Sequence, residues 1–349
     1  MLEQSQQVVD LCLAQDFALA GVVVANESAF KQEFEEWIKQ GKQGEMEWME
    51  RNVGVRLDPK KLLVDAKSVI CVADRYGDIE EPNMPLGHGK IARYARGQDY
   101  HKGMKKRLHI VCDELKKKYP EETFKACVDT APILEREFAA RAGLGAIGKH
   151  TLLLEQSVGS WMLLGVIVTT KEFAASDLLE VVDPCASCTR CIDACPTDAI
   201  TPWELDARKC ISYLTIEHRT QIDPKFHESI GDWMFGCDIC QEVCPHNQPT
   251  AKAQQAEVHP SYKATHSSLD IMDVLQWDEE ARRKAFQGSS MKRAKLEMMQ
   301  RNALIVAGNF LTKNESPEMY ALVVQMASEG PKSLVQQTAK DVLQRLMLL

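Results

Sequence analysis

Eight cysteines crowded into one short stretch constrain this chain more than any other feature. Cys185, Cys188, Cys191, Cys195, Cys210, Cys237, Cys240 and Cys244 all fall between residues 185 and 244, whereas Cys12, Cys71, Cys112 and Cys127 stand isolated before them. Cys185-x2-Cys188-x2-Cys191-x3-Cys195-Pro196 has the spacing of a ferredoxin run, whose first three thiolates hold one cubane and whose fourth ligates a second cluster. Cys237-x2-Cys240-x3-Cys244-Pro245 repeats the end of that run without its first cysteine, and Cys210 is the natural substitute. Crossed ligation then assigns Cys185, Cys188, Cys191 and Cys244 to one 4Fe-4S cluster and Cys195, Cys210, Cys237 and Cys240 to another. Eight thiolates fill both clusters with none left over. Zinc knuckles and free structural cysteines are the alternatives, but zinc sites rarely use this x2-x2-x3 spacing before proline. The four early cysteines read as core; Cys71 lies in the apolar run SVICVA.

A disulfide reading requires an oxidising compartment, and the rest of the sequence points to a cytoplasmic protein. No apolar run approaches the ~20 residues of a bilayer span, and the short apolar run 17–25 follows Asp10 and Asp16, not the positive charge of a signal peptide. With 349 residues, 45% hydrophobic and 26% charged, the chain is long enough for two or three packed units and excludes wholesale disorder. A net charge of −8 excludes global attraction to nucleic acid and leaves only a local basic patch. One exists: between residues 282 and 301, Arg282, Arg283, Lys284, Lys292, Arg293, Lys295 and Arg301 face a single acid, Glu297. Such a run is either a solvated helix face or a phosphate-contacting surface.

Periodicity divides the chain into three. Residues 1–180 alternate helical patterns (2–15, 30–40, 101–118) with strand-like runs (20–25, 68–73, 124–128, 161–169), which predicts an α/β sandwich. Residues 181–250 form the cluster-binding insert, with Pro184, Pro196 and Pro202 marking loops. The stretch 246–268 is polar and turn-rich and reads as a connector into the third unit, 251–349, which is helical from about residue 270. Ser316-Pro317 opens one helix and Gly330-Pro331 separates it from the last, an arrangement resembling short HEAT-type repeats. GLGAIGK at 143–149 fits a phosphate loop in outline, but His150 stands where Ser or Thr is needed, so a glycine turn is the simpler reading. Asp99-Tyr100-His101 begins a D-x-H-x-x-G cobalamin motif, but Met104 replaces its final glycine.

Two clusters make an electron relay, so a redox organic or corrin cofactor must receive the electrons. A resemblance supplies the rest. VDTAPILER (128–136), RYARGQDYH (93–101), GAIGK (145–149), YLTIEH (213–218), GCDICQ (236–241) and the segment from Arg301-Asn302-Ala303 to Gly308-Asn309 resemble, in order, the signature segments of the epoxyqueuosine reductases. The likeness runs from about Gly44 to Phe310, with His150 and His246 departing from the commoner Asn and Trp.

That resemblance implies reduction of epoxyqueuosine to queuosine at the tRNA wobble position, the last step of queuosine biosynthesis, in a family that shares its core with reductive dehalogenases. It implies a base-off cob(II)alamin beside the two clusters, an N-terminal α/β cobalamin-binding domain, a ferredoxin-like insert and a HEAT-like tRNA-binding tail, in a mixed α+β or α/β fold. Asp129 matches the family's proton donor, with its pKa raised by burial; the competing reading is an N-cap for a helix over 131–140. Arg56, Tyr94, Tyr100, His101, Ser212, Arg219 and Asp238 are placed by motif match around the corrin or its tail. Lys292, Arg293, Lys295 and Arg301 are expected to hold the anticodon stem-loop. An external electron donor, no membrane and a monomer complete the expectation. A small-molecule reductive dehalogenase and a non-catalytic electron-transfer subunit are the rival readings.

Overall fold

The computed structural model describes residues 2–77, 83–155, 159–175, 183–248, 258–329 and 334–348. The expected boundary at residue 180 and the Gly330-Pro331 break lie outside the described residues. The labelled strands are β1 (Leu19–Val24), β2 (Ser68–Arg75), β3 (His88–Ile91), β4 (Phe124–Cys127), β5 (Met162–Thr169), β6 (Trp233–Phe235) and β7 (Ser268–Asp270). The labelled helices are α1 (Leu2–Leu13), α2 (Lys31–Lys39), α3 (Tyr100–Lys118), α4 (Glu135–Arg141), α5 (Leu296–Leu311), α6 (Pro317–Glu329) and α7 (Leu334–Met347).

The main sheet runs β1-β2-β5-β4, and every pairing in it is antiparallel. Residues 1–180 therefore take the α+β form of the expected mixed fold, and not the α/β sandwich that alternation suggested. Apolar runs such as Ser68–Arg75 report burial on both faces and carry no information on strand direction. All eight residues of β2 are buried. Ile70 and Val72 pack with Val8 and Cys12 of α1 and Met104, Leu108 and Val111 of α3. Val69, Cys71 and Ala73 pack on the opposite face with Phe138 and Ala139 of α4. The sheet is the middle of three layers, and its period of two divides one strand between two cores.

A second sheet, β6-β3-β7, joins the cluster-binding segment to the rest: β6 is parallel to β3 and β7 antiparallel to it. Ile91, Met234 and Phe235 from this sheet share one core with Met299, Ala303 and Val306 of α5, Val323 of α6 and Val342 of α7. The tail thus packs directly against elements that frame the site. Among the described residues, no helix is long and apolar enough to cross a membrane.

The polar connector is also structured where it is described. Tyr262 is buried, and its hydroxyl donates to Asp74 Oδ2 at 2.6 Å; Arg107 pairs with the same carboxylate and donates to the Tyr262 oxygen. A Cβ on Gly97 would come within 2.8 Å of the Tyr262 backbone, so only glycine lets the two segments cross there. The amide of Gln98 donates to Ser261 O at 2.9 Å. This crossing clamps the segment that leads into α3.

Candidate functional site

Asp99 caps α3, accepting the His101 amide at its side chain. The His101 ring bridges two carboxylates, with Nδ1 2.7 Å from Asp99 Oδ1 and Nε2 3.0 Å from Asp129 Oδ2. Tyr100 stacks against that ring at 4.0 Å between centroids, and Tyr94 meets Tyr100 edge-on at 6.4 Å. Asp129 adopts φ +52°, a left-handed conformation that Asp tolerates better than most residues. Its amide donates to Glu135 Oε1 at 2.8 Å. The helix after it begins at Glu135, with Leu134 in the cap position. Asp129 is therefore no N-cap, and that competing reading fails on geometry.

The electrostatics revise the expectation for Asp129. Burial acts to raise its carboxyl, but the His101 hydrogen bond and charge, with Arg293 and Arg136 nearby, outweigh burial and hold it below the usual carboxylate range. For His101, burial opposes the charge, and the carboxylates of Asp129 and Asp99 overcome it and raise the imidazole. The pair therefore holds its proton on His101 Nε2, within reach of Asp129 Oδ2. Behind them burial, reinforced by the Asp129 charge, pushes Glu135 up to about 8. The proton-holding unit is a pair, which motif matching to Asp129 alone missed; the Asp-x-His at the start of α3 was its one local signal.

The other sequence-derived residues separate by environment. Arg56 is buried near Glu135 and Asp129, and its Nε has no hydrogen-bond partner. Asp238 is buried, its Oδ2 accepts the Arg93 amide at 2.7 Å, and burial pushes it up to about 7. Ser212 is half-buried behind Cys210, while Arg219 is exposed and its amide donates to Glu45 Oε2 at 2.6 Å. Lys292 pairs with Asp99, Lys295 is exposed, and Arg293 pairs with Glu217 and lies 5.1 Å above the Trp48 ring.

Arg301 does not belong with them. Its relative exposure is 0%, and its guanidinium donates to the carbonyls of Leu214, His218 and Thr220, each at 2.7 Å. It ties α5 to the cluster-binding segment and cannot reach RNA phosphate. Its place in a basic run concealed this, because residues 298–308 of α5 are all buried and the helix has no polar stripe there.

Cys185, Cys188, Cys191 and Cys244 line one cavity together with His150 and His246. This is the first of the two thiol sets read from spacing. Cys195, Cys210, Cys237 and Cys240 lie near one another: Cys195 and Cys210 neighbour Cys237, and Cys237 and Cys210 neighbour Cys240, which also feels Cys191 of the first set. All eight are free of disulfides. Backbone donors converge on the sulfurs, with the Lys149 amide 3.4 Å from Cys185 Sγ and the Ala199 amide 3.3 Å from Cys195 Sγ. Amides of Ser212 and Tyr213 serve Cys210, and those of His246 and Asn247 serve Cys244. Such N–H···S bonds suit thiolates that hold iron-sulfur clusters. Among the described residues, no three His, Cys, Asp or Glu side chains group as a single-ion site. The GAIGK turn is put to structural use: Lys149 Nζ donates to Ala186 O at 2.6 Å and Cys188 O at 3.1 Å, holding the first cysteine loop instead of a phosphate.

Comparisons with known proteins bear on the same two regions. Residues 184–247 match the family described as 4Fe-4S double cluster binding domain, and residues 56–130 match that described as Epoxyqueuosine reductase QueG, DUF1730. An epoxyqueuosine reductase of Cellulophaga algicola is 39% identical over 272 residues, covering 77% of this chain and 86% of the relative. One of Vibrio cholerae is 33% identical over 314 residues, covering 87% and 83%. A crystal structure of epoxyqueuosine reductase with an epoxyqueuosine-modified tyrosine-tRNA stem loop superposes with a TM-score of 0.85 at 25% identity, covering 97% of this chain and 88% of that one.

Proposed function

The chain belongs to the epoxyqueuosine reductase family, and on that premise we propose that it reduces epoxyqueuosine to queuosine within tRNA. The observation that carries the reading is the hydrogen-bonded His101–Asp129 pair, which can hold one transferable proton for a departing epoxide oxygen. Net reduction takes two electrons and two protons, and leaves an alkene and water. When bound, two 4Fe-4S clusters and a cobalamin supply the electrons.

The residues present fit those groups. The two sets of four thiols, each served by backbone donors, would hold the clusters. For the corrinoid, the stacked Tyr100–His101 pair, with Tyr94 edge-on to it, and the unpartnered Nε of buried Arg56 would offer aromatic contact and a donor to an amide-rimmed group. Ser212, Arg219 and Asp238 complete the set assigned to that cofactor.

An alkoxide is a poor leaving group, so protonation must accompany its departure. His101 holds the proton at Nε2, 3.0 Å from Asp129 Oδ2, and the half-exposed Asp129 carboxylate would pass it on. Glu135 fixes the Asp129 backbone through its amide, which keeps the carboxylate in line with the ring. Arg293 and Lys295 would hold the RNA backbone, while single-stranded loop bases splay into the site. Residues 1–180, 181–250 and 251–349 then act as catalytic, cluster-binding and HEAT-like RNA-binding units of a cytoplasmic monomer fed by an external electron donor.

The test is anaerobically prepared protein, analysed for iron, sulfide and corrin, then given a reductant and tRNA carrying epoxyqueuosine. Conversion to queuosine is the expected result. Modified tRNA recovered unchanged from fully loaded protein overturns the reading.

A further inference from the structure

The geometry points to Asp99 and Lys292 as positioning residues: the buried Asp99 carboxylate, held by the Lys292 ammonium, fixes the His101 ring with Nε2–H toward Asp129 and ties the basic RNA-facing segment to the proton pair. This deepens the reading above and rests on it.

The Asp99 side chain is 4% exposed and both of its oxygens are committed. Oδ1 accepts the His101 Nδ1–H at 2.7 Å and the His101 amide at 3.3 Å; Oδ2 accepts the Lys292 ammonium. The Asp99 amide donates to Gly288 O at 2.7 Å, which anchors its backbone to the segment that carries Lys292. With Nδ1 donating to a buried anion and Tyr100 stacked on one face, the ring has one orientation available. A buried carboxylate on one ring nitrogen sets the tautomer and aim of the other in many catalytic histidines.

Lys292 reaches in two directions. Its side chain is 52% exposed, and an ammonium has three donors, so one can hold Asp99 while the others meet a phosphate oxygen. A phosphate there offsets part of the lysine charge that Asp99 feels. The Asp99 carboxylate then attracts the His101 proton more strongly, so seated RNA increases the share of the pair that is loaded. Among the described residues, few charges face this unit. Asp99 and Asp129 touch His101, Lys292 stands behind Asp99, and Arg293, Arg136, Glu135 and Arg56 surround Asp129 and Glu135.

Asp99→Asn keeps a helix-capping side chain and removes the charge; Lys292→Met keeps the stem and removes the ammonium. Each holoenzyme variant is measured for single-turnover rate against pH, for affinity to the modified stem-loop, and for the His101 midpoint by histidine ¹³C NMR. Asp99→Asn should lower the rate at least about tenfold and move both the alkaline limb and the His101 midpoint down by about one pH unit. Lys292→Met should move both upward, and Lys292→Arg should restore the wild-type position. Shifts of opposite sign are the signature of this coupling, since simple loss of packing moves both variants alike. A Lys292→Met enzyme with weakened RNA binding but unmoved rate limb and midpoint overturns the inference, as do shifts of the same sign. Failure of the wild type to convert epoxyqueuosine strikes instead at the functional reading, and the His101 midpoints still decide the coupling.

Discussion

His101 Nε2 and Asp129 Oδ2 stand 3.0 Å apart although they come from segments 28 residues distant in sequence, one opening α3 and the other closing the turn after β4. The contact fixes how activity should depend on pH. His101 is raised and Asp129 lowered, so the charged pair persists in the window between them. As pH rises through the raised His101 pKa, the transferable proton is lost and turnover falls; as pH drops through the lowered Asp129 pKa, the ion pair is lost. The stability that each contributes follows the same limits: the His101 share disappears at the alkaline edge and the Asp129 share at the acid edge. A pH–rate profile of the holoenzyme should therefore show an alkaline limb above the ordinary histidine range. A limb at or below that range contradicts the pairing.

Arg301→Met should cost stability, with little effect on RNA binding by the folded protein. Three carbonyls lose their donor, and one left buried and unsatisfied, as Leu214 O would be, costs about 1–3 kcal/mol. A large fall in Tm with an unchanged stem-loop Kd is expected. A rise in Kd at unchanged Tm would return Arg301 to the RNA surface.

Arg293→Glu and Lys295→Glu should each weaken stem-loop binding and flatten its salt dependence by about one unit of slope. Arg293 has a second job, since it pairs with Glu217 and stacks on Trp48, so its variant should show the larger loss. Affinity that ignores both changes would make this segment an ordinary solvated face.

Crossed ligation predicts which cluster fails when one thiol is removed. Cys244 lines the cavity of Cys185, Cys188 and Cys191, although Cys237 and Cys240 are nearer in sequence. In Cys244→Ser, iron should drop from about eight to about four atoms per chain, and a further Cys185→Ser should remove no more. A further loss in the double variant contradicts the shared set.

The iron-sulfur ligands were the most legible part of the sequence because their spacing is local: a thiolate two or three residues from the next can bind the same cage in very few ways. Strand positions were legible for a similar reason, since Ser68–Arg75 and Met162–Thr169 are apolar runs of strand length. Their antiparallel direction was not, because it depends on connections whose length alone does not distinguish crossover from return. Asp129 was found by motif but misread in environment; neither its positive φ nor its ionic partner leaves a mark in the residues beside it. Arg301 was misplaced for the opposite reason. Neighbouring charges suggested a surface, while the carbonyls it satisfies lie more than eighty residues earlier.

The most direct test of the account is single-turnover conversion of epoxyqueuosine-tRNA by the Asp129→Asn holoenzyme, read as loss of one oxygen atom from the nucleoside by mass spectrometry. With iron, corrin and stem-loop affinity at wild-type levels, the rate should fall by about a hundredfold or more. Oxygen loss at the wild-type rate would contradict the account, because the proton would then reach the departing oxygen by another route.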